Sequence, residues 1–112
     1  MFGFQKLDVY RCAIEFLALA SPLSENAPKG YASLGDQLRR ASASIPLNIA
    51  EGSGKFDKDA RRFYAIARGS ALECAAIVDV FRTLRLIQGE VYDKTQTLLD
   101  RIVAMLTKII RE

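Results

Sequence analysis

The sequence predicts an all-α fold, an antiparallel up-down four-helix bundle forming one domain over residues 1–112. Three observations carry that prediction. Apolar residues recur at three- and four-residue steps in four separate stretches, the period of an amphipathic helix. No period-two run or hairpin turn signal competes with them. The chain has 112 residues, half of them hydrophobic, which is the size of one domain with one core. With 26% charged residues and three prolines it lies outside disordered and collagen-like compositions. A core this small leaves little margin, so self-association would add stability.

The first helix runs from Leu7 to Ala20 through Tyr10, Ile14 and Leu17, and Pro22 is expected to end it. Residues 21–32, with Pro22, Asn26, Pro28 and Gly30, read as a loop. Ser33 followed by Asp36 resembles a capping box opening a second helix through Leu34, Leu38, Ala41 and Ile45. Pro46 lies inside that helix, so a bend near residues 42–46 is expected, with Ser42 and Ser44 placed to satisfy the freed backbone groups. After Gly52-Ser53-Gly54, Asp57 is the expected N-cap of a third helix reaching about Leu86. At ~1.5 Å per residue it would be about 45 Å long. Gly89 separates it from a fourth helix carrying Val91, Leu98, Leu99, Ile102, Leu106 and Ile109.

Histidine is absent and the two cysteines, Cys12 and Cys74, lie far apart. That inventory excludes Ser-His-Asp and Cys-His catalysis and any histidine-containing zinc or di-iron site, so no cofactor and no metal are expected. Both thiols are expected to be buried and reduced. Asp8, Arg11 and Glu15 interrupt the first apolar stretch, no signal peptide is evident and no segment approaches the ~20 apolar residues of a membrane span. A cytoplasmic location is therefore expected, with no membrane partner.

The third helix is the unusual element. Phe63, Ala67, Cys74, Val78 and Phe81 fall on one side, the expected bundle core. Ile66, Ile77, Val80 and Leu84 fall beside them, making more than half the circumference apolar. A core-facing stripe need span only ~100° or somewhat more, so the excess predicts a subunit interface; closer enclosure by the chain's own bundle is the alternative. Glu73 lies within this second group and is expected to pair with Arg39, Arg40, Arg62 or Arg68, unless it sits on a solvated edge.

Charge is also uneven. Residues 55–85 hold seven basic side chains against four acidic ones, the whole net charge of +3, and elsewhere nine balance nine. Lys55, Lys58, Arg61, Arg62 and Arg82 are candidate phosphate contacts, and symmetric assembly would multiply and focus their field. The plainer alternative is an ordinary solvated helix face, because no aromatic-interleaved motif accompanies the charges.

The segment from Gln37 to Gly52, QLRRASASIPLNIAEG, together with Ile66 to Glu73, IARGSALE, resembles the signature of the 23S rRNA intervening-sequence proteins. The opening Phe4-x-x-Leu7-Asp8-Val9-Tyr10 and the closing Met105-Leu106-x-x-Ile109-Ile110 look like that family's first and last helices. The resemblance implies a bundle assembled as a homopentamer around a channel. It extends to the accessory protein of diversity-generating retroelements, a basic barrel that binds nucleic acid and a reverse transcriptase. Arg39, Arg40, Asn48, Glu51, Arg68, Ser70 and Glu73 fit the family pattern. Arg40, Ser44 and Asn48 follow at four-residue steps with Glu51 near the same line, so these residues are expected to form a structural polar network. Catalysis by Glu51 and Glu73 is not expected, since no activated nucleophile accompanies them. The expected function is that of an oligomeric, non-enzymatic nucleic-acid-binding accessory protein, with RNA or DNA as partner; the alternative is a protein–protein interaction scaffold that binds no nucleic acid.

Overall fold

The computed structural model describes every residue from Met1 to Glu112. It contains a short 3₁₀ turn, Gly3–Lys6, and four helices: α1 (Asp8–Glu25), α2 (Ala32–Ser53), α3 (Asp57–Thr83) and α4 (Gly89–Arg111). There is no strand. α2 packs against α1 and α3, and α4 against the same two, which closes the four into a bundle. Its 27-residue α3 spans about 40 Å at 1.5 Å per residue, close to the molecule's 43 Å long axis. One cluster of 20 buried apolar residues draws on all four helices, with Phe16, Leu38, Phe81 and Leu99 among its largest members. No helix is long and apolar enough to cross a membrane.

Several element ends differ from expectation. Pro22 does not stop α1, which continues to Glu25. Proline removes one amide, and the carbonyl it leaves without a partner belongs to Ala18, which is exposed and open to water. The backbone N–H and side-chain amide of Asn26 both donate to the Pro22 carbonyl, at 3.0 and 2.9 Å, and close the helix there. α2 begins at Ala32, so Ser33 lies inside the first turn and the Ser33/Asp36 box does not form. Asp36 pairs instead with Arg39. Nor do the serines near Pro46 serve the carbonyl it frees: Ser42 Oγ donates to the Arg39 carbonyl, Ser44 Oγ meets Ser70, and α2 runs through as one element.

Phe56, not Asp57, is the N-cap residue of α3, and the helix ends at Thr83, three residues early. The reason for the early end is local. Arg85 adopts φ +61°, its N–H donates to the Arg82 carbonyl, and the Leu86 N–H donates back to Phe81, the double closure of a Schellman motif. Gly89 opens α4 instead of breaking the chain. At two further glycines a side chain would meet close neighbours, backbone at Gly35 and an aromatic ring at Gly52. A Cβ on Gly35 would lie 2.7 Å from the Ser24 carbonyl, and one on Gly52 would lie 3.0 Å from the Tyr64 ring.

Candidate functional site

The basic residues divide into two groups. Lys55, Lys58, Arg61 and Arg62 occupy the α2–α3 turn and the first two turns of α3, and all four are exposed. On the wheel Lys58, Arg61 and Arg62 span about 100°, so they share the outward face of the helix. Lys55 Nζ lies 5.9 Å and the Arg62 guanidinium 5.0 Å from the centroid of the Phe63 ring, which steers both cations along one side chain. Arg82 is not part of this patch. It stands about 30 Å beyond Arg62 along α3 by helical rise, and its Nη1 donates to the Ile87 carbonyl at 3.1 Å. The guanidinium occupies the space beside Gly89 that a Cβ would fill, so Arg82 ties together the α3–α4 turn.

The expected polar network forms in part. Ser44 Oγ meets Ser70 Oγ at 2.9 Å across α2 and α3, and the Asn48 amide donates to both the carbonyl and the hydroxyl of Ser44, at 2.8 and 3.0 Å. Arg68 faces the other way. Its Nε donates to Thr107 Oγ1 on α4 at 2.8 Å, and that hydroxyl donates onward to the Val103 carbonyl at 2.7 Å. Arg39 pairs only with Asp36, at 3.1 Å, the one salt bridge within the chain. Arg40, Glu51 and Glu73 are exposed. Glu73 therefore lacks the arginine partner expected of it within the chain. The physical reason is solvent: a carboxylate left in water carries no desolvation cost for a partner to offset.

The four interface candidates also separate. Ile77 is 5% exposed and belongs to the chain's own core, whereas Ile66, Val80 and Leu84 stand 41–44% exposed on the outside of α3. Leu72, 46% exposed, joins them, and Leu47 on α2 is 68% exposed; sequence reasoning passed over both. Leu47 was legible, since it points about 200° away from Ile45 on the α2 wheel. The small residues Ala65, Gly69 and Ala76 are exposed on the same outer face. Glu73 is the one acidic residue between Phe63 and Val78.

A second feature escaped the sequence reading. Phe56, which follows Lys55 and precedes Asp57 and Lys58, is 86% exposed, so an aromatic ring does accompany the basic cluster. Near it, the 3₁₀ turn brings Phe2, Phe4 and Leu7 against Ala50, Ser53, Gly54 and Tyr64 around an open groove of about 610 Å³. Elsewhere, Asp79 accepts hydrogen bonds from Tyr92 Oη at 2.6 Å and Gln96 Nε2 at 2.8 Å, a clasp between α3 and α4. Both cysteines are free and buried. Burial pushes the Cys74 thiol up to about 12, with the neighbouring Glu73 carboxylate adding to the effect, and burial raises Tyr64 as well.

Comparison with known proteins agrees with this architecture. No curated protein matches the chain in sequence. Among solved structures, a protein of unknown function from the S23 ribosomal protein family of Bacteroides thetaiotaomicron superposes with a TM-score of 0.84. The match covers 93% of this chain and 99% of that one at 23% identity, which establishes a shared fold. The model of the 23S rRNA-intervening sequence protein family matches residues 5–108, a span holding all four helix cores and both motif segments. Fold and sequence thus converge, and the chain belongs to the 23S rRNA-intervening sequence protein family.

Proposed function

We propose that this protein is a cytoplasmic, non-enzymatic accessory protein that binds RNA or DNA without strong sequence preference, built as an up-down antiparallel bundle and assembled as a homopentamer. The observation that carries the proposal is the exposed cluster of Lys55, Lys58, Arg61 and Arg62 on one short segment. Asp57 and Asp59 offset part of it, so one subunit is a weak polyanion binder, and several copies arranged by symmetry supply the field. The antiparallel order is supported by contact pairs: Ser44 meets Ser70 while Gly52 meets Tyr64, and Arg68 meets Thr107 while Asp79 meets Gln96. Rising numbers on one helix meet falling numbers on the next. Assembly is supported by the aliphatic outer face of α3, and on this reading the exposed Glu73 there pairs with an arginine of another copy.

The test is binding measured against salt. Log affinity should fall with log salt at roughly −0.9 per neutralised phosphate on duplex DNA and about −0.7 on single strands. Reversing Arg61 or Lys58 to Glu should weaken binding to all sequences alike, whereas Arg82→Glu should act through stability. The aliphatic face also favours a second reading, a protein–protein scaffold. Absence of retention on any nucleic acid at low salt, with the oligomer intact, would establish that reading instead.

A further inference from the structure

We propose that the end of the bundle where the 3₁₀ turn meets the α2–α3 connection is a stacking platform for unpaired bases, so that the polynucleotide it takes is single-stranded. This rests on the nucleic-acid reading above and narrows it to one kind of strand. Phe56 holds an extended backbone at the N-cap of α3, with φ −121° and ψ 147°, and its ring stands 86% in solvent, next to Lys55 in the sequence Lys55-Phe56-Asp57-Lys58. Phe2 is 72% exposed and forms the outer member of a short aromatic stack. Its ring lies parallel to Phe4 at 5.8 Å and 8°, and Phe4 is braced edge-on by Tyr10 at 5.0 Å. The stack thus ends in an open ring beside the 610 Å³ groove, a volume suited to a nucleotide-sized group. Gly54, in the wall of that groove, precedes Phe56 by two residues.

Exposed rings next to cations combine the two contacts that unpaired nucleic acid rewards: base stacking on the ring and phosphate attraction to the cation. A duplex cannot use the rings, because its base faces are already stacked on one another. A second copy of this chain is disfavoured at this end, since the four cations outnumber Asp57 and Asp59 and two copies would meet with like net charge. An anionic bilayer also rewards aromatics beside lysines, but it presents a broad plane, whereas Phe2 borders a concave groove.

The chain contains no tryptophan, so Phe56→Trp installs a single fluorescent reporter at the platform. The probes are oligo(dT), oligo(U), a hairpin duplex of matched length closed by a non-nucleotide linker and vesicles containing anionic lipid, all at low salt, with light scattering on each variant. The expected result is quenching of the tryptophan by both single strands and not by the hairpin. Phe56→Ala should weaken single-strand binding about five- to tenfold or more while leaving duplex binding unchanged, and Phe2→Ala should have a smaller effect in the same direction. Equal binding of strands and hairpin, with Phe56→Ala matching wild type and Phe56→Trp unquenched, overturns the platform and leaves electrostatic binding standing. No binding of any oligonucleotide overturns both. Response to vesicles alone, or a changed oligomeric state in Phe56→Ala with no quenching in Phe56→Trp, assigns the ring to a bilayer or a subunit contact and also overturns the platform.

Discussion

Cys74 is the side chain whose chemistry the bundle alters most. It is fully enclosed, and its thiol is raised from the usual value near 9 to about 12, first by burial and then by Glu73. The sign of the linkage follows from which state loses the proton first. Between about pH 9 and pH 12 the unfolded chain ionises this thiol while the folded chain keeps it neutral, so stability is full below that interval and falls as pH rises through it. At roughly 1.4 kcal/mol for each pH unit, the loss between pH 8 and pH 10.5 is on the order of 2 kcal/mol. Tyr64, also raised by burial, adds in the same direction. Urea titrations at the two pH values should show that loss in the wild type, and Cys74→Ala should show a shallower pH dependence. An identical pH dependence in the two proteins would mean that the thiol ionises as readily in the folded state as in the unfolded one.

The ends of α3 show how one element can be stable in its middle and strained at its boundaries. Arg85 takes the left-handed position of the Schellman closure, which costs an L-residue with a Cβ about 1 kcal/mol relative to glycine. Arg85→Gly should therefore raise the stability of the fold by up to about 0.5 kcal/mol, after allowance for the greater freedom of glycine in the unfolded chain. Thermal unfolding should show a higher midpoint with unchanged helix content. A lower midpoint would mean that the Arg85 side chain makes stabilising contacts that outweigh its backbone strain. The opposite behaviour is expected at Gly35, where the Ser24 carbonyl stands in the path of any Cβ. Gly35→Ala should cost about 1–3 kcal/mol, since backbone on both sides must shift to accept it.

In the molecule taken entire, 25 of 112 residues are buried, and the Cα radius of gyration is 14.0 Å, slightly above the ~13 Å of a compact chain this long. A slender bundle with a thin core gains from covering the row Ile66, Leu72, Val80 and Leu84. Light scattering at micromolar concentration should give several times the 12.4 kDa subunit mass. Val80→Glu should dissociate the assembly while preserving helicity, because the side chain points away from the chain's own core. Glu73→Ala should leave the isolated subunit within about half a kcal/mol of wild type, as exposed charges do, and weaken only the assembled form. A wild type that remains a stable monomer would remove the pentamer and the focused charge together.

The class of the fold, the number of helices and most of the core were legible because helical periodicity is local: Leu38, Ala41 and Ile45, or Leu98, Leu99, Ile102 and Leu106, need only their own spacing to declare a buried face. The family was legible in two motif segments for the same reason. Helix ends were not, because whether Pro22 stops a helix depends on whether water reaches the Ala18 carbonyl, and whether Ser33 caps one depends on where the preceding loop delivers the chain. Nor could a wheel separate Ile77 from Ile66. They lie about 20° apart by angle, yet α3's neighbours cover one and leave the other in solvent. The same holds for the charges: seven basic residues from 55 to 85 formed one list in sequence, and packing divided them into an exposed cluster of four at the start of α3, Arg68 bonded to Thr107, Arg82 holding the turn beside Gly89, and Arg85 in the closure that ends α3. Sequence spacing assigns each side chain an angle about its own helix axis. What lies at that angle is decided by how the four axes come together.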